Sequence, residues 1–337
     1  MRKGEGPVAV AAPGAAGDRA IRLRIARLTL AAVALIGATA AAGCGFGPGG
    51  ASDSDVALTV TRDYGTDRLV EAKQADPPES ETVIRFLDGE ADTTTRYGGA
   101  FVQSIDGIEG GEQGGRTYDW FFYVNGIESP IGAAEARVYG GDRVWWDYRD
   151  WSNAMRVPAV VGSWPEPFLH GSDGKAFPVR VDCLGETDDC SAVADRLESE
   201  DVAASISTER ARLGEELLRV VVGTWDEVRE DQAVAQIEQG PSRSGVFADL
   251  VPLPTGEYEL VGLDQREREA VRAGPGSGLV AAVRLGDQQP TWVVTGTDDA
   301  GVDAAIELLE TRSLRDRYAV LVTRGGAERG LPVVGGG

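Results

Sequence analysis

The sequence predicts an α+β protein of two domains, and three observations lead to this prediction. Residues 55–150 contain several strand-like runs and one short helical pattern, which is typical of a small mixed sheet with one packed helix. From residue 172 to residue 335, strand patterns alternate with helical patterns, as in a separate α/β domain. Between these regions, residues 151–171 include the Pro-rich stretch "SWPEPFLHG", and we expect a linker there.

The elements of the first domain are predicted from the spacing of apolar residues. In "VALTVTRDYG", Val56, Leu58 and Val60 share one face of a predicted strand. In "DPPESETVIRFLDG", apolar residues at helical spacing predict a short helix over about residues 81–88. The runs "AFVQSIDGI", "DWFFYVNGI" and "DRVWWDY" predict three more strands, separated by Gly-rich turns.

In the second domain, three strand patterns are each followed by a helical one. They are "FPVRVDC" before "SAVADRLESE", "LLRVVVGT" before "WDEVREDQAVAQIEQG", and "PTWVVTGT" before "DDAGVDAAIELLE". In the last of these, Thr297 or Asp298 is a suitable helix N-cap. The runs "YELVGLD", "GLVAAVRLG" and "YAVLVT" predict further strands.

The first 43 residues are typical of an export signal. Basic residues precede an apolar run, "LTLAAVALIGATAAAG", which is short for a membrane span and ends in small residues. The ending "AAGC" resembles the lipobox of bacterial lipoproteins, although Ala41 stands where Leu is commonest. This resemblance implies a lipid anchor on Cys44, a flexible tether over residues 44–54, and a location on the outer face of the cell membrane. Cleavage near Ala42 in an ordinary secreted protein is the alternative.

The charge of the chain argues against a nucleic-acid partner. Without residues 1–43, the chain has 27 basic and 52 acidic residues, a net charge of −25. Such a surface repels phosphate backbones, and its simplest role is to keep the protein soluble.

Two further cysteines, Cys183 and Cys190, enclose six residues in "VDCLGETDDC". In an exported protein, such a pair predicts a structural disulfide. The chain has one histidine, His170, which cannot complete a zinc shell with these cysteines, so no metal-binding residue is predicted.

Four blocks of residues follow one another within residues 55–150. They are "SIDGI" at 104–108, the W-x-x-Y-V-N-G pattern at 120–126, "GAA" at 132–134 and "GDRVWWDY" at 141–148. Together they resemble the bacterial domain family that is similar to the C-terminal domain of transcobalamin and intrinsic factor. The resemblance implies a β-grasp-like fold of the type that binds soluble ligands, and it makes a cobalamin-type molecule the candidate ligand.

The same resemblance implies a set of ligand-binding residues. Trp120 and Tyr123 would supply stacking area, Asn125 a directional hydrogen bond and Ile131 an apolar contact, and we add Trp145 from the following strand. Asn125 followed by Gly is also typical of a hairpin turn, which leaves a purely structural role open.

Aromatic residues are concentrated in this region. Ten of the 23 aromatic residues lie between Tyr118 and Trp151, and strand alternation places rings on both faces of the predicted sheet. Because a sheet with one helix can bury only one face, the remaining rings either pack on the second domain or form a platform for a ligand. An exposed concavity lined by Trp120 and Trp145 would favour the ligand.

No catalytic residue is predicted. A Ser-His-Asp relay would need His170, which lies in a loop, and the chain has no G-x-S-x-G motif. We therefore expect a lipid-anchored binding protein, not an enzyme, that captures a small ligand such as a corrinoid for a membrane transporter. An envelope protein–protein interaction module is the alternative, and an extracellular hydrolase comes third.

Overall fold

The computed structural model describes residues 55–99, 101–212 and 214–335. The predicted export signal, Cys44 and the tether up to residue 54 lie outside the described residues. None of the helices in the described ranges is both long and apolar enough to cross a membrane.

Residues 55–150 form nine strands and one α-helix. In chain order they are β1 (Val56–Arg62), β2 (Asp67–Gln74), α1 (Val83–Glu90), β3 (Thr93–Arg96), β4 (Phe101–Ile105), β5 (Ile108–Glu109), β6 (Gly111–Gln113), β7 (Arg116–Val124), β8 (Ile127–Glu128) and β9 (Arg143–Asp150), with a 3-10 turn at Tyr97–Gly99. The predicted helix and the predicted strands over β1, β4, β7 and β9 are confirmed.

Six of these strands form a mixed sheet in the order β2-β1-β9-β7-β6, with β8 paired to β7. Its central strands β1 and β9 are parallel, whereas β2 pairs antiparallel with β1 and β7 antiparallel with β9. Val56, Leu58 and Val60 are fully buried on one face, as their alternation predicted. This face packs with the buried residues of α1, among them Val83 and Leu87.

The remaining elements follow from residue 179. They are β10 (Val179–Cys183), α2 (Thr187–Glu198), β11 (Ala204–Ser207), β12 (Leu218–Thr224), α3 (Trp225–Val228), a 3-10 helix (Val234–Gln239), α4 (Pro241–Ser244), β13 (Ala248–Pro252), β14 (Tyr258–Leu263), β15 (Glu269–Ala273), β16 (Gly278–Val283), β17 (Thr291–Gly296), α5 (Asp299–Glu307), α6 (Thr311–Leu314), β18 (Ala319–Val322) and β19 (Glu328–Leu331).

A seven-stranded sheet in the order β11-β10-β12-β17-β16-β18-β19 organises this region. The first four strands are parallel, and the apolar runs of β10, β12 and β17 are buried on both faces, as is typical of inner parallel strands, whereas the edge strand β11 is partly exposed. β13, β14 and β15 form a separate antiparallel sheet. At the start of α5, Asp298 accepts a hydrogen bond from the backbone N–H of Gly301 at 2.9 Å, so the predicted N-cap is confirmed.

One predicted helix is wrong. The run after "LLRVVVGT" does not form a single helix but the one-turn α3, a break, and a 3-10 helix. The carboxylate of Asp231 accepts from the backbone N–H of Ala233 at 2.9 Å and of Val234 at 3.4 Å. Such a side-chain bond starts a new turn, because it replaces the helical partner of those backbone groups.

Two apolar cores flank the seven-stranded sheet. Residues of α2 and α5 form one core on the first face, with Trp164, Phe168 and Trp292. The core on the second face also contains Tyr64, Tyr123 and Trp145 from residues 55–150. The described residues are therefore a sheet-rich α+β structure with a shared core, and the exact domain boundaries stay a prediction.

Candidate functional site

The predicted site lies on the antiparallel pair β7 and β9. Trp120 lies opposite Tyr148 and Phe122 opposite Trp146, and these rings face the core beneath α1. The ring centroids are 5.2 Å apart for Trp120 and Tyr148 and 4.8 Å apart for Phe122 and Trp146. The indole N–H of Trp120 donates to the backbone carbonyl of Ile108 at 2.9 Å, so this ring is held as a core residue.

The opposite face of the same strands carries Tyr123 and Trp145. Both rings are at most 3% exposed, and both pack edge-on against Tyr318, with centroid distances of 5.7 Å and 5.3 Å. Tyr318 lies directly before β18. Of the two alternatives for the surplus rings, the structure places them in the contact with residues 179–335, which we call the second region.

A buried carboxylate lies beside these rings. Asp147 of β9 accepts hydrogen bonds from the hydroxyl of Thr61 at 2.6 Å, the backbone N–H groups of Tyr64 and Gly65 at 3.1 Å each, and the hydroxyl of Tyr318 at 2.9 Å. Burial raises the pKa of Asp147 to about 6, and the hydrogen bonds from Thr61, Tyr318 and Gly65 oppose that rise, as does the charge of Arg149. Asp147 therefore joins the hairpin of β1 and β2 to the second region.

Arg149, two residues after Asp147 on β9, is a buried cation. The Arg149 guanidinium lies 3.7 Å from the centre of the Phe121 ring and donates to the backbone carbonyls of Ala154 at 2.8 Å and Met155 at 2.9 Å. These bonds tie the segment after β9 to the sheet. Sequence reasoning missed both Asp147 and Arg149, although charged residues alternating with rings in "WWDYRDW" were the available signal.

Asn125 begins the turn between β7 and β8. Its φ of 54° and that of Gly126, 75°, are left-handed, the conformation that an Asn-Gly hairpin turn requires. Its side-chain N–H groups donate to Asp142 at 2.7 Å and to the carbonyl of Gly171 at 3.0 Å, and its side-chain oxygen accepts from the backbone N–H of Arg143 at 2.8 Å. The structural role that the sequence left open is the one present here.

The five predicted ligand-binding residues do not share one surface. Trp120 and Trp145 lie on opposite faces of the sheet, so a concavity lined by both is ruled out in this structure. Ile131 is 46% exposed on an outward turn, whereas Trp120, Tyr123, Asn125 and Trp145 are buried. Ligand binding by these residues stays a prediction, and it would require this core to open.

His170 is paired within the protein. Its Nδ1 lies 2.5 Å from Glu166 Oε1, and its backbone N–H donates to Glu166 Oε2 at 3.0 Å. The hydrogen bond to Glu166 raises the pKa of His170, and partial burial opposes that rise. Across the described part of the chain, no group of three or more His, Cys, Asp and Glu side chains is placed to hold a metal ion.

A cavity of about 450 Å³ with both polar and apolar lining, the latter including Leu217 and Leu285, lies elsewhere, at the amino-terminal ends of β12 and β17. Arg219, Asp231 and Thr291 contribute buried or largely buried groups to it, and Arg210, Arg212, Glu215 and Glu230 contribute charged side chains. Sequence reasoning did not find this cavity, because its residues come from three separate segments.

The disulfide between Cys183 and Cys190 is confirmed. It links the end of β10 to the first turn of α2, and both cysteines are buried. Since the bridge joins consecutive elements, its role is to fix their connection.

Part of the sheet that carries the aromatic strands matches a known family. A family model, Domain of unknown function (DUF4430), matches residues 80–150. The DUF4430 match runs from just before α1 to the end of β9 and includes the blocks from "SIDGI" to "GDRVWWDY". Its description carries no ligand and no activity. No curated protein matches the chain.

Proposed function

We propose that this chain is an exported, lipid-anchored, non-catalytic protein of the bacterial envelope that acts as a protein–protein interaction module. The observation that favours this proposal over ligand capture on the aromatic strands is the packing of Tyr123 and Trp145 against Tyr318. Because the chain covers this aromatic face itself, the DUF4430 region is held on the second region, and a partner has to bind an outer surface.

Two further features support the proposal. The β1–β2 hairpin, the helix α1 and the parallel pairing of β1 with the last strand β9 are consistent with a β-grasp-like domain. The disulfide between Cys183 and Cys190 favours an oxidising compartment outside the cytoplasm, in agreement with the export signal expected at residues 1–43.

The outer surface that we propose for the partner contains Tyr97 and Ile131. Tyr97 is 85% exposed and Ile131 is 46% exposed. The segments that carry them are neighbours, since a Cβ on Gly99 would lie 3.2 Å from Ala134. An exposed Tyr and an exposed Ile on adjacent segments are suited to a protein contact, in which aromatic and aliphatic side chains supply most of the buried area.

Site-specific photo-crosslinking in the native host tests this surface. A photoreactive amino acid at position 97 or 131 should give the same discrete crosslinked species. The same amino acid at Val251, which is 37% exposed on β13, should not give it. If positions 97 and 131 give no species beyond that of the control, the proposed surface is wrong.

Export and anchoring have their own test. Cys44→Ala should move the protein from the membrane fraction to the soluble fraction, because the acyl chains on Cys44 are the proposed anchor. A Cys44→Ala chain that stays in the membrane fraction would show that the anchor lies elsewhere.

Small-ligand capture on the aromatic strands, with a corrinoid as candidate, stays a prediction from the sequence. Titration of the purified full-length chain with cyanocobalamin, followed by calorimetry, decides between it and the proposal. We expect no saturable heat, since Tyr123 and Trp145 are covered by Tyr318. Saturable binding that Trp145→Ala weakens without unfolding the chain would overturn our proposal in favour of a carrier.

A further inference from the structure

The floor of the cavity between β12 and β17 is a fixed guanidinium group. Arg219 Nε donates to Asp182 at 2.7 Å and Nη2 to Asp231 at 2.6 Å. Asp182 and Asp231 are 0% and 5% exposed, so the two carboxylates hold Arg219 in one orientation. The remaining nitrogen, Nη1, has no hydrogen-bond partner among the described residues. The two N–H groups of Arg219 Nη1 are therefore a pair of donors with a fixed orientation that a ligand in the cavity can use.

The walls add neutral polar groups and charges of both signs. Thr291, which is 4% exposed, and the side chains of Gln288 and Gln289 line the cavity beside Arg219. At the rim, Arg210 and Arg212 face the same space as Glu215 and Glu230. The lining contains three arginines and three carboxylates, so it is neutral overall, in a chain of net charge −21.

This arrangement selects a chemical class of ligand. Arginine donors recognise a carboxylate, and carboxylates recognise an ammonium group. In the free protein the charges at the rim are paired, Arg210 with Glu230 at 3.7 Å and Glu215 with Arg180 at 3.2 Å. A zwitterion can replace both partners of the pair between Arg210 and Glu230, whereas a solute with only one charge would leave one of them without an ion partner. None of the described lining residues is aromatic, so the cavity offers no stacking surface for a flat ring. The volume is within the range of small-molecule sites.

We infer that this cavity binds a small zwitterion that carries a free carboxylate and a free ammonium group, a free amino acid or a dipeptide. The carboxylate is held near Arg219 and Thr291, and the ammonium group lies towards Glu230. The inference goes beyond the proposed function, because that function concerns another surface and names no small ligand.

Calorimetric titration of the purified full-length chain tests the inference. The probes are L-alanine and glycylglycine, with propionate and ethylamine as the counterparts of L-alanine that lack its ammonium group or its carboxylate. We expect saturable binding of one or both zwitterions, and binding of propionate and ethylamine weaker by at least about tenfold. No heat from either zwitterion up to about 10 mM, or equal binding of propionate or ethylamine, would overturn the inference.

Two variants locate the binding. Thr291→Val removes a hydroxyl at constant shape, and Glu230→Gln removes the rim charge from a side chain that is 78% exposed. Each should weaken zwitterion binding by about tenfold. Glu307→Gln, on the exposed side of α5, is the matched control and should leave binding unchanged.

The outcomes separate a site from non-specific binding. Loss of affinity in either cavity variant, with an unchanged Tm and an unaffected control, supports the site. Binding that neither Thr291→Val nor Glu230→Gln alters would overturn it. Arg219 is not replaced, because its loss would leave Asp182 and Asp231 buried and unpaired and would destabilise the fold.

Discussion

Tyr318 donates its phenolic hydrogen to the carboxylate of Asp147 at 2.9 Å inside the shared core. Asp147 belongs to β9 and Tyr318 lies just before β18, so this bond connects residues 171 positions apart. Together with the edge-on contacts of Tyr318 with Tyr123 and Trp145, it fixes how the aromatic sheet lies on the second region.

Removal of the Tyr318 hydroxyl should destabilise the protein. In Tyr318→Phe the ring contacts stay, but Asp147 loses one of its four donors in a fully buried position. We expect the free energy of unfolding in urea to fall by about 1–2 kcal/mol. Tyr97→Phe, at a ring that is 85% exposed, is the control and should change it by less than about 0.5 kcal/mol. Equal effects in the two variants would contradict the role of this bond.

Asp147 should make stability depend on pH. Its pKa is raised from 3.8 to about 6 in the folded protein, so between these values the folded state binds more protons than the unfolded state. Stability therefore falls as the pH rises through this window, by about 3 kcal/mol in total. The measurement is the difference in unfolding free energy between the wild type and Asp147→Asn at pH 4, 5, 6 and 7. As the pH rises, the wild type should lose about 3 kcal/mol of unfolding free energy relative to Asp147→Asn. A difference between the two proteins that stays constant with pH would show that Asp147 does not titrate in this range.

Asn125→Ala should lower the free energy of unfolding by much more than the left-handed turn conformation of Asn125 alone explains. The variant loses hydrogen bonds to Asp142, Gly171 and Arg143 as well as a residue type that tolerates a left-handed backbone. Asp201 is also left-handed, with a φ of 62°, but it is exposed, so Asp201→Ala isolates the backbone cost. In urea unfolding, we expect Asn125→Ala to cost about 3 kcal/mol more than Asp201→Ala. Similar costs would mean that the three bonds contribute little.

Loss of the disulfide should also lower stability. The bridge between Cys183 and Cys190 closes a short loop, with a sequence separation of 7. A loop of that length restricts the unfolded chain by about 2.5 kcal/mol. Cys183→Ala combined with Cys190→Ala should reduce the unfolding free energy by this amount, and reductant should have no further effect on the double variant. If reductant lowers the wild-type stability by clearly less than the double substitution does, the rest of the loss comes from the packing of the two buried Cys side chains and not from the bridge.

Prediction from the sequence was most successful where a local pattern decides the outcome. Val56, Leu58 and Val60 alternate because one face of β1 is buried, and Asp298 caps α5 because its carboxylate accepts a hydrogen bond from the free backbone N–H of Gly301. The helix expected after Thr224 was wrong, since the bonds from Ala233 and Val234 to Asp231 compete with helical bonds.

The candidate site was less predictable for a physical reason. Alternation showed that rings lie on both faces of the sheet, but it could not show what covers the second face. Tyr318 is about 170 residues further along the chain than Trp145, and nothing in the local pattern at either position indicates their contact. The cavity at Arg219 and Thr291 was unpredictable for the same reason, because only the order of strands in the sheet brings β12 and β17 side by side.

By itself, the sequence determined the alternating strands, the helix α1, the cap of α5, the pairing of Cys183 with Cys190 and the acidic charge, because each depends on neighbouring residues or on composition. Only the tertiary structure decided that Tyr123 and Trp145 are interior, that Asn125 is bonded within the protein, and that Asp147 is a buried acceptor. Burial is a property of what packs against a residue, and here those partners come from distant segments of the chain.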